Sequence, residues 1–322
     1  MNRRLLACLL PLVGLLSPAA QAQPFPPKST ITLTVGFAAG GAADTAARIV
    51  AKKLGENIGA TVVVDNKPGA GGNIAHAQVA SGPADGSVIL LGSIGPLALA
   101  PHMMKISYDP LQDLAPISMA IDTPNLLVVP ASAPYKTFAE FIAFARKNPG
   151  KVDFASTGPG SASHLAGELV NEAAQIDTLH VPYKGGAPAM QDLLGGRVAA
   201  HYSTVSTAKP HIEAGKLIPL ASTGAQRLAS YPKVPTVAES GFPGFSATNW
   251  YAFVASAKVP KPVLDRWNLE IVKVLKSPDV VEQLNTHGLT PQPSSREELA
   301  KTIRGEYTTY GRVIKARNIK AE

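Results

Sequence analysis

Two glycine-rich turns carry most of the chemistry that can be seen in the sequence. One runs from Phe37 to Asp44 and the other from Ser156 to His164, and each joins an apolar run to a helical pattern. The start of a helix presents backbone N–H groups without partners and about half a positive charge. Small residues let a ligand approach that backbone closely. Each turn is therefore a candidate site for a carboxylate or a phosphate.

Side chains in these turns can either bind a ligand or support the turn. Ser161 or Ser163 can cap the second helix or donate a hydroxyl to the ligand. Asp44 lies in the first turn of its helix, where the helix dipole stabilises a carboxylate with or without a ligand. His164 can contact the ligand or bond a neighbouring backbone carbonyl, and Arg48 is expected to pair with an acid.

Other kinds of site are excluded because the residues that they need are missing. Neither turn ends in the Gly-Lys-Ser/Thr of a P-loop, and neither fits the dinucleotide pattern G-x-G-x-x-G. The sequence has no G-x-S-x-G nucleophile elbow. Ser206-Thr207-Ala208-Lys209 fits Ser-x-x-Lys but lacks the partner motifs and runs into Pro210. The seven histidines include no pair at helical spacing, so neither a zinc site nor a cofactor is expected.

Short apolar runs alternate with amphipathic helical patterns, which predicts an α/β protein with largely parallel sheets. The predicted strands are Ile31–Phe37, Thr61–Asp65, Ser87–Leu91, Leu126–Val129, Asp153–Ser156, Leu179–Val181, Val198–Tyr202, Leu217–Ser222 and Tyr251–Ala255. Helical spacing places apolar side chains on one face in three stretches. They are Ala46, Ile49, Val50 and Leu54; Leu165, Leu169, Val170 and Ala173; and Leu264, Trp267, Ile271 and Leu275.

Two stretches rich in proline or glycine indicate where the chain crosses between two lobes. They are Val129–Pro134 and Glu239–Phe245, the second of which precedes Trp250. Because Trp250 adjoins a crossing, we expect its side chain to pack in the core or the hinge. The expected lobes are residues 23–128 plus 249–322 and residues 129–248.

Composition and charge favour a globular protein. The 322 residues include 30 Lys and Arg against 23 Asp and Glu, which gives a formal net charge of +7. Hydrophobic residues make up 45% and charged residues 16%, whereas a disordered chain has low hydrophobicity and high charge. A basic helix is predicted from Arg296 to Lys320, but no RNA-binding motif accompanies it, so no nucleic-acid partner is expected. Its exposed cations are Arg304, Arg312, Lys315 and Arg317.

The first residues have the pattern of a secretory leader. Arg3 and Arg4 precede an apolar run, Leu5–Leu16, which is too short to span a bilayer. Ala20-Gln21-Ala22 then fits a cleavage site, so we expect a leader over residues 1–22 and a periplasmic mature protein. A buried N-terminal helix is the alternative. Cleavage would remove Cys8, the single cysteine, and a disulfide within the chain is excluded in either case.

Ordered motifs along the whole mature chain resemble the Bug family, the extracytoplasmic receptors of tripartite tricarboxylate transporters. The first motif includes the Phe37 turn, and the fourth includes the helix that follows the Ser156 turn. The matching segments are Val35–Asp44 with Ala47-Arg48, Val64–Gly72, Ala84-Asp85-Gly86, Ser161–Glu168, Val181–Ala189, Asp192–Gly196, Pro210–Leu217 and Pro235–Gly241.

The resemblance implies a two-lobed periplasmic binding protein fold, type II-like, with two sheets flanked by helices and two hinge crossings. It implies a small carboxylate in the cleft between the lobes, held by both turns and partly through ordered water. It also implies membrane permease subunits as partners of a monomeric receptor. The ligand-binding residues that it implies are Phe37, Gly40, Gly41, Ala42 and Asp44; Ser156, Thr157, Gly158, Gly160, Ser161 and His164; and, lining the cleft, Ser93 and Tyr183.

Three positions depart from the pattern of the family. Ala38 stands where the family often has proline, and Ala43 stands where it often has a hydroxyl residue. The first turn must therefore rely more on its backbone N–H groups. Ser203 stands where many members carry an aspartate that can pair with a ligand ammonium. This difference favours a dicarboxylate or an aromatic acid over an amino acid.

The sequence therefore predicts a solute-binding protein that closes on a small organic anion, which can be a dicarboxylate, a tricarboxylate, an amino acid or an aromatic acid. A receptor that reports to a sensor kinase would use the same clamp, so the sequence leaves this alternative open. A hydrolase would need a nucleophile beside a base, and the sequence reveals no such pair. We therefore do not expect an enzyme.

Overall fold

The computed structural model describes residues 25–320, which form two β-sheets flanked by helices. This architecture confirms the predicted α/β class. The expected leader over residues 1–22 and its cleavage site lie outside the described residues. Within residues 25–320, no helix is both long and apolar enough to cross a bilayer.

The first sheet has six strands and carries the first glycine-rich turn at one end. Its strands are β1 (Thr30–Val35), β2 (Thr61–Asn66), β3 (Val88–Ser93), β4 (Leu114–Asp122), β10 (Trp250–Ser256) and β11 (Thr290–Pro291). They lie side by side in the order β11-β4-β10-β3-β1-β2. The first turn follows β1, which lies between the parallel strands β2 and β3.

The second sheet has five strands and carries the second glycine-rich turn. Its strands are β5 (Asn125–Pro130), β6 (Val152–Ser156), β7 (Thr178–Pro182), β8 (Ala200–Thr204) and β9 (Leu217–Ser222). They lie in the order β7-β6-β8-β5-β9. The second turn follows β6, which pairs in parallel with β7 and β8.

Both sheets are mixed, so the prediction of largely parallel sheets was wrong. In each sheet the strand that enters after a crossing runs antiparallel to both of its neighbours. These strands are β5, between β8 and β9, and β10, between β3 and β4. Strand–helix alternation predicts the parallel pairs only, because it does not indicate the direction of a strand that arrives from the other lobe.

The first crossing lies earlier than the sequence-based boundary between residues 128 and 129. β4 ends at Asp122 in the first sheet and β5 begins at Asn125 in the second, so the crossing is the dipeptide Thr123-Pro124. The proline-rich stretch after Val129 ends β5 instead. The second crossing enters β10 at Trp250, one residue from the expected position.

Ten α-helices cover the sheets in the described part of the chain, and their ends carry recognisable caps. Thr137 with Glu140 and Ser295 with Glu298 form capping boxes, and Gly59 ends the first helix in the left-handed conformation. The helices are α1 (Ala42–Ile58), α2 (Asn73–Ala80), α3 (Ala100–Met103), α4 (Phe138–Lys147), α5 (Ala162–Ala174), α6 (Gly186–Leu194), α7 (Val205–Glu213), α8 (Lys261–Leu275), α9 (Pro278–Thr286) and α10 (Arg296–Ala316).

The helical spacings place most of their apolar side chains in the interior, as predicted, but Ile49 is only half-buried and Ala173 is exposed. On α1, Ala46, Val50 and Leu54 are buried, and on α8 Trp267 is fully buried. Trp250 is only 3% exposed, and its indole N–H donates to Glu306 Oε2 at 3.0 Å, which confirms its expected role in packing. The four basic residues of the last helix and its end are exposed, as expected of a solvated face.

Candidate functional site

The two lobes contact each other through glycine-rich segments, so the structure is closed. From the first turn, the Ala38 N–H donates to the Lys184 carbonyl of the second lobe at 3.0 Å. A Cβ atom added to Gly185 would lie 3.0 Å from Ala38 N. Glycine therefore permits this approach of one backbone to the other.

The second turn meets the first lobe in the same way. A Cβ atom added to Gly71, which precedes α2, would overlap the Pro159 carbonyl oxygen. One added to Gly95, just after β3, would lie 2.9 Å from the Gly160 carbonyl oxygen. Gly71 and Gly158 also have φ angles of +62° and +127°, which side chains rarely tolerate. These contacts exist only while the lobes are closed.

Two other segments contact the glycines of the two turns. Tyr183 and Gly185 lie between them on the side of the second lobe, since the Tyr183 carbonyl adjoins Gly158 and Gly185 adjoins Ala38. On the side of the first lobe, Gly71 and the adjoining glycine separate Gly158 from the Phe37 ring. These two segments therefore lie between the turns.

The first turn leaves helical N–H groups free but uses its acidic side chain internally. Helix α1 begins without a side-chain cap at Gly41, so the N–H groups of Ala42 and Ala43 lack intrahelical acceptors. Asp44 accepts the Gly40 N–H at 2.9 Å and the Arg48 Nε–H at 3.0 Å. The expected pairing of Arg48 with an acid is thereby confirmed. Asp44 Oδ2 is thus used within the turn, while Asp44 Oδ1 lies 2.9 Å from Arg48 Nη2 as an ion pair.

We expect Asp44→Ala to lower the free energy of unfolding at pH 7 by about 1–3 kcal/mol, because Gly40 and Arg48 lose their acceptor. Burial alone raises the pKa of Asp44, but the bonds from Arg48 and Gly40 outweigh it and lower the pKa below its ordinary 3.8. The stabilisation is therefore present at neutral pH and is lost as the pH falls through the lowered pKa. Urea unfolding of both proteins from pH 7 to pH 3 measures the difference.

Asp65→Ala is the matched control for that prediction. Asp65 forms an exposed ion pair with Lys67 at 3.3 Å, so its removal should change the free energy of unfolding by less than about 1 kcal/mol. If Asp44→Ala were as stable as the parent at pH 7, its role in shaping the turn would be refuted.

The second turn satisfies many of its own N–H groups with side chains. Ser161 caps α5 by accepting the His164 N–H at 3.3 Å, and Ser163 Oγ accepts the Thr157 N–H at 2.8 Å. His164 Nδ1 accepts the Gly160 N–H at 3.2 Å. The N–H groups of Ala162 and Ser163, in the first turn of α5, are the ones without intrahelical acceptors. Ser161 therefore acts as the cap of α5. His164 accepts a backbone N–H, whereas a backbone carbonyl was the partner considered from the sequence.

Behind this turn lies a serine–histidine pair that the sequence does not reveal. Ser156 Oγ is 2.6 Å from His180 Nε2, and the His180 ring stacks on His164 with centroids 3.8 Å apart. Burial lowers the pKa of His164 to about 3 and that of His180 to about 4, so both rings are neutral at pH 7. Ser156 is fully buried and its oxygen also accepts the Gly158 N–H, so the pair braces the turn.

Three other predicted residues have partners within their own lobe. The Tyr183 hydroxyl donates to Asp192 Oδ2 at 2.8 Å, and the Ser203 hydroxyl donates to the Thr204 carbonyl at 3.1 Å. The Phe37 ring packs edge-on against Tyr251 with centroids 6.2 Å apart.

Polar residues that the sequence analysis missed lie where the two crossings join the sheets. Thr123 and Asn125 flank the proline of the first crossing, and Asn249 precedes β10. All three are buried together with the predicted residue Ser93. The sequence signal for this crossing is a polar step around a proline that separates two apolar runs.

The described residues contain no group of three or more His, Cys, Asp or Glu side chains that could hold a metal ion. A groove of about 640 Å³ lies outside the cleft, between α5 and α10, and includes Glu306, Tyr310 and Arg317 in its lining. It faces neither of the two glycine-rich turns. The cleft therefore remains the candidate site.

Comparison with known proteins agrees with this geometry. A family described as the tripartite tricarboxylate transporter family receptor matches residues 46–319. Protein BugT of Bordetella pertussis is 36% identical over 296 residues, which cover 91% of this chain and 91% of BugT.

Solved structures share the two-lobed fold. The periplasmic binding protein BugD superposes with a TM-score of 0.87 at 33% identity, over 91% of this chain and 99% of BugD. A protein of R. palustris solved with adipate gives a TM-score of 0.86 at 33% identity, over 90% of this chain and 98% of that protein. The predicted periplasmic binding protein fold is thereby confirmed.

Proposed function

Because the chain belongs to the tripartite tricarboxylate transporter receptor family, we propose that it captures a small dicarboxylate in the periplasm and delivers it to membrane permease subunits. Its relatives are solute-binding receptors and not enzymes. The proposal of a dicarboxylate draws on the R. palustris protein that was solved with adipate. Export by cleavage after Ala22 is part of the same proposal.

The observation that supports this function most strongly is the contact between glycine backbones of the two lobes. In the closed state, the free N–H groups at the start of α1 lie in one lobe and those of α5 in the other. A carboxylate that accepts from both, directly or through water, binds the closed state better than the open state. It therefore shifts the population towards closure by that difference in affinity.

The energies are sufficient for a transport receptor. A hydrogen bond to a charged group contributes about 1.5–3 kcal/mol, and a micromolar dissociation constant corresponds to about 8 kcal/mol. A few such bonds, less the cost of immobilising the ligand, reach that range. In this proposal Gly40, Gly41 and Ala42 surround the carboxylate from the first lobe, and Thr157, Gly158, Gly160 and Ser161 from the second. Asp44, Ser156 and His164 position the two turns.

A thermal-unfolding screen tests the proposed function. We expect one of a panel of mono-, di- and tricarboxylates, amino acids and nicotinic acid to stabilise the protein by about 2.7 kcal/mol at a hundred times its dissociation constant. The neutral amide of the same acid is the control, and it should give no stabilisation because it lacks the negative charge. If no acid on the panel stabilised the protein, the proposal would fail.

A further inference from the structure

Five buried polar residues lie where the two crossings join the first sheet to the second, and we call them the polar row. They are Ser93, Thr123, Asn125, Asn249 and Tyr251. Tyr251 is paired with Ser93 across β10 and β3, and the Thr123 N–H donates to the Asn249 carbonyl at 2.9 Å. Side chains directly opposite each other in a sheet lie on the same face, and so do those two residues apart on one strand. Ser93 and Tyr251 therefore share one face of the first sheet, and Asn125, the first residue of β5 in the second sheet, joins them through its side-chain bond to Asn249.

This row lies where the two lobes join. Thr123 and Asn125 belong to the first crossing, and Asn249 immediately precedes the strand that the second crossing enters. Above them, the Phe37 ring of the first turn packs on Tyr251. The row therefore adjoins the first turn.

Three polar groups in the row have no hydrogen-bond partner in the protein. They are Ser93 Oγ, Thr123 Oγ1 and Asn125 Nδ2, on residues that are 3%, 1% and 1% exposed. The Asn125 side-chain oxygen accepts the Asn249 amide N–H at 3.2 Å, so its own NH₂ group is the one left over. Buried groups that can hydrogen-bond are rarely left unpaired, and such exceptions in a cleft need an explanation.

The row contains donors but no charge. The Asn125 NH₂ can only donate, and the Ser93 and Thr123 hydroxyls can each donate one hydrogen bond. Asp122, next to Thr123, alternates to the opposite face of the sheet, where it is paired with Trp250. Burial raises the pKa of Tyr251 to about 12, so it too stays neutral. A ligand ammonium would find no carboxylate among the residues of this row.

We propose that the polar row binds the second polar group of the ligand, with Ser93, Thr123 and Asn125 donating to it, and that this group is an acceptor such as a second carboxylate. The assignment rests on the proposed function and deepens it. It makes the row the part of the site that distinguishes dicarboxylates from monocarboxylates and from amino acids that carry an ammonium at that end.

Calorimetric titration of matched ligands tests the assignment. Succinate, glutarate and adipate are each compared with butyrate, pentanoate and hexanoate of the same length, and the tightest-binding pair is carried forward. We expect Thr123→Val, which keeps the shape and removes the hydroxyl, to reduce the preference for the dicarboxylate by about tenfold. The affinity for the monocarboxylate should stay within about twofold, because that ligand does not reach the hydroxyl.

Thr34→Val is the matched control, because Thr34 is a buried threonine on β1 whose neighbour Val35 packs in the same cluster as Tyr251. Its side chain alternates to the other face of the sheet, so the preference for the dicarboxylate should not change.

Asn125→Asp is a second variant, for which we expect a change in which ligand is preferred. It should weaken the dicarboxylate and favour the ω-amino acid of the same length, whose ammonium gains an acceptor.

The binding measurements distinguish failure of the proposed function from failure of the role assigned to the polar row. If the wild-type protein bound no carboxylate at all, the proposed function would fail and the row would lose its role with it. If it bound dicarboxylates no better than monocarboxylates, or if folded Thr123→Val and Ser93→Ala both kept the preference unchanged, only the assignment of the row would fail. Because each ratio is measured within one variant, a general loss of stability does not affect it.

Discussion

Replacing Gly71 with alanine is expected to weaken carboxylate binding by about a hundredfold or more while both lobes remain folded. The new Cβ atom would overlap the Pro159 carbonyl oxygen, so the closed arrangement could not form without a backbone shift. In an open arrangement the two segments are apart and the clash does not arise. Titration with the acid selected by the thermal screen measures the loss.

Gly59→Ala is a stringent control for this prediction. Gly59 has a φ angle of +65°, close to the +62° of Gly71, but nothing lies within 4 Å of its added Cβ atom. Both variants therefore carry the same backbone cost, about 1–2 kcal/mol, and only Gly71→Ala obstructs closure. Equal ligand affinities in the two variants would show that closure does not depend on this contact.

A disulfide across the cleft is expected to slow ligand exchange by about a hundredfold or more. A Cβ atom added to Gly40 would lie 3.5 Å from Ala187 Cβ, within the usual range of about 3.5–4.5 Å for bonded cysteines. The double variant Gly40→Cys, Ala187→Cys would therefore connect the first turn to the start of α6 in the second lobe. When it is oxidised with ligand present, the lobes cannot separate and the ligand stays trapped.

Reduction of the same protein provides the control for the disulfide. The reduced double variant should release bound ligand about a hundredfold faster than the oxidised form in a chase with unlabelled ligand, because both forms carry the same two substitutions. Equally fast release from the oxidised form would mean that the ligand leaves without separation of the lobes, and the cleft would no longer be the binding site.

The sequence predicted the elements that carry the site because their patterns are local. The helical spacing on α1, α5 and α8 is set by neighbouring residues, and the two turns are visible as small residues between a strand and a helix. β4 was missed because Pro116 interrupts it and its burial pattern does not alternate. Because β4 was missed, its end could not mark the crossing at Thr123-Pro124, and the crossing was placed too late in the chain.

The geometry within the site could not be predicted from local patterns. The direction of the Asp44 side chain depends on how the turn folds back. In the structure its carboxylate accepts hydrogen bonds from Gly40 and Arg48. The pairing of Ser156 with His180 joins residues on two strands, so neither neighbourhood reveals it. The polar row likewise exists only once β3 and β10 pair in the first sheet and the start of β5 in the second sheet contacts Asn249.

A crystal structure of the protein with the acid that stabilises it most would test the central claim directly. The account predicts the acid in the cleft, with one carboxylate within about 3 Å of the N–H groups at the start of both α1 and α5, or joined to them through a single water. An acid bound in the groove between α5 and α10, or contacted by one lobe alone, would contradict it.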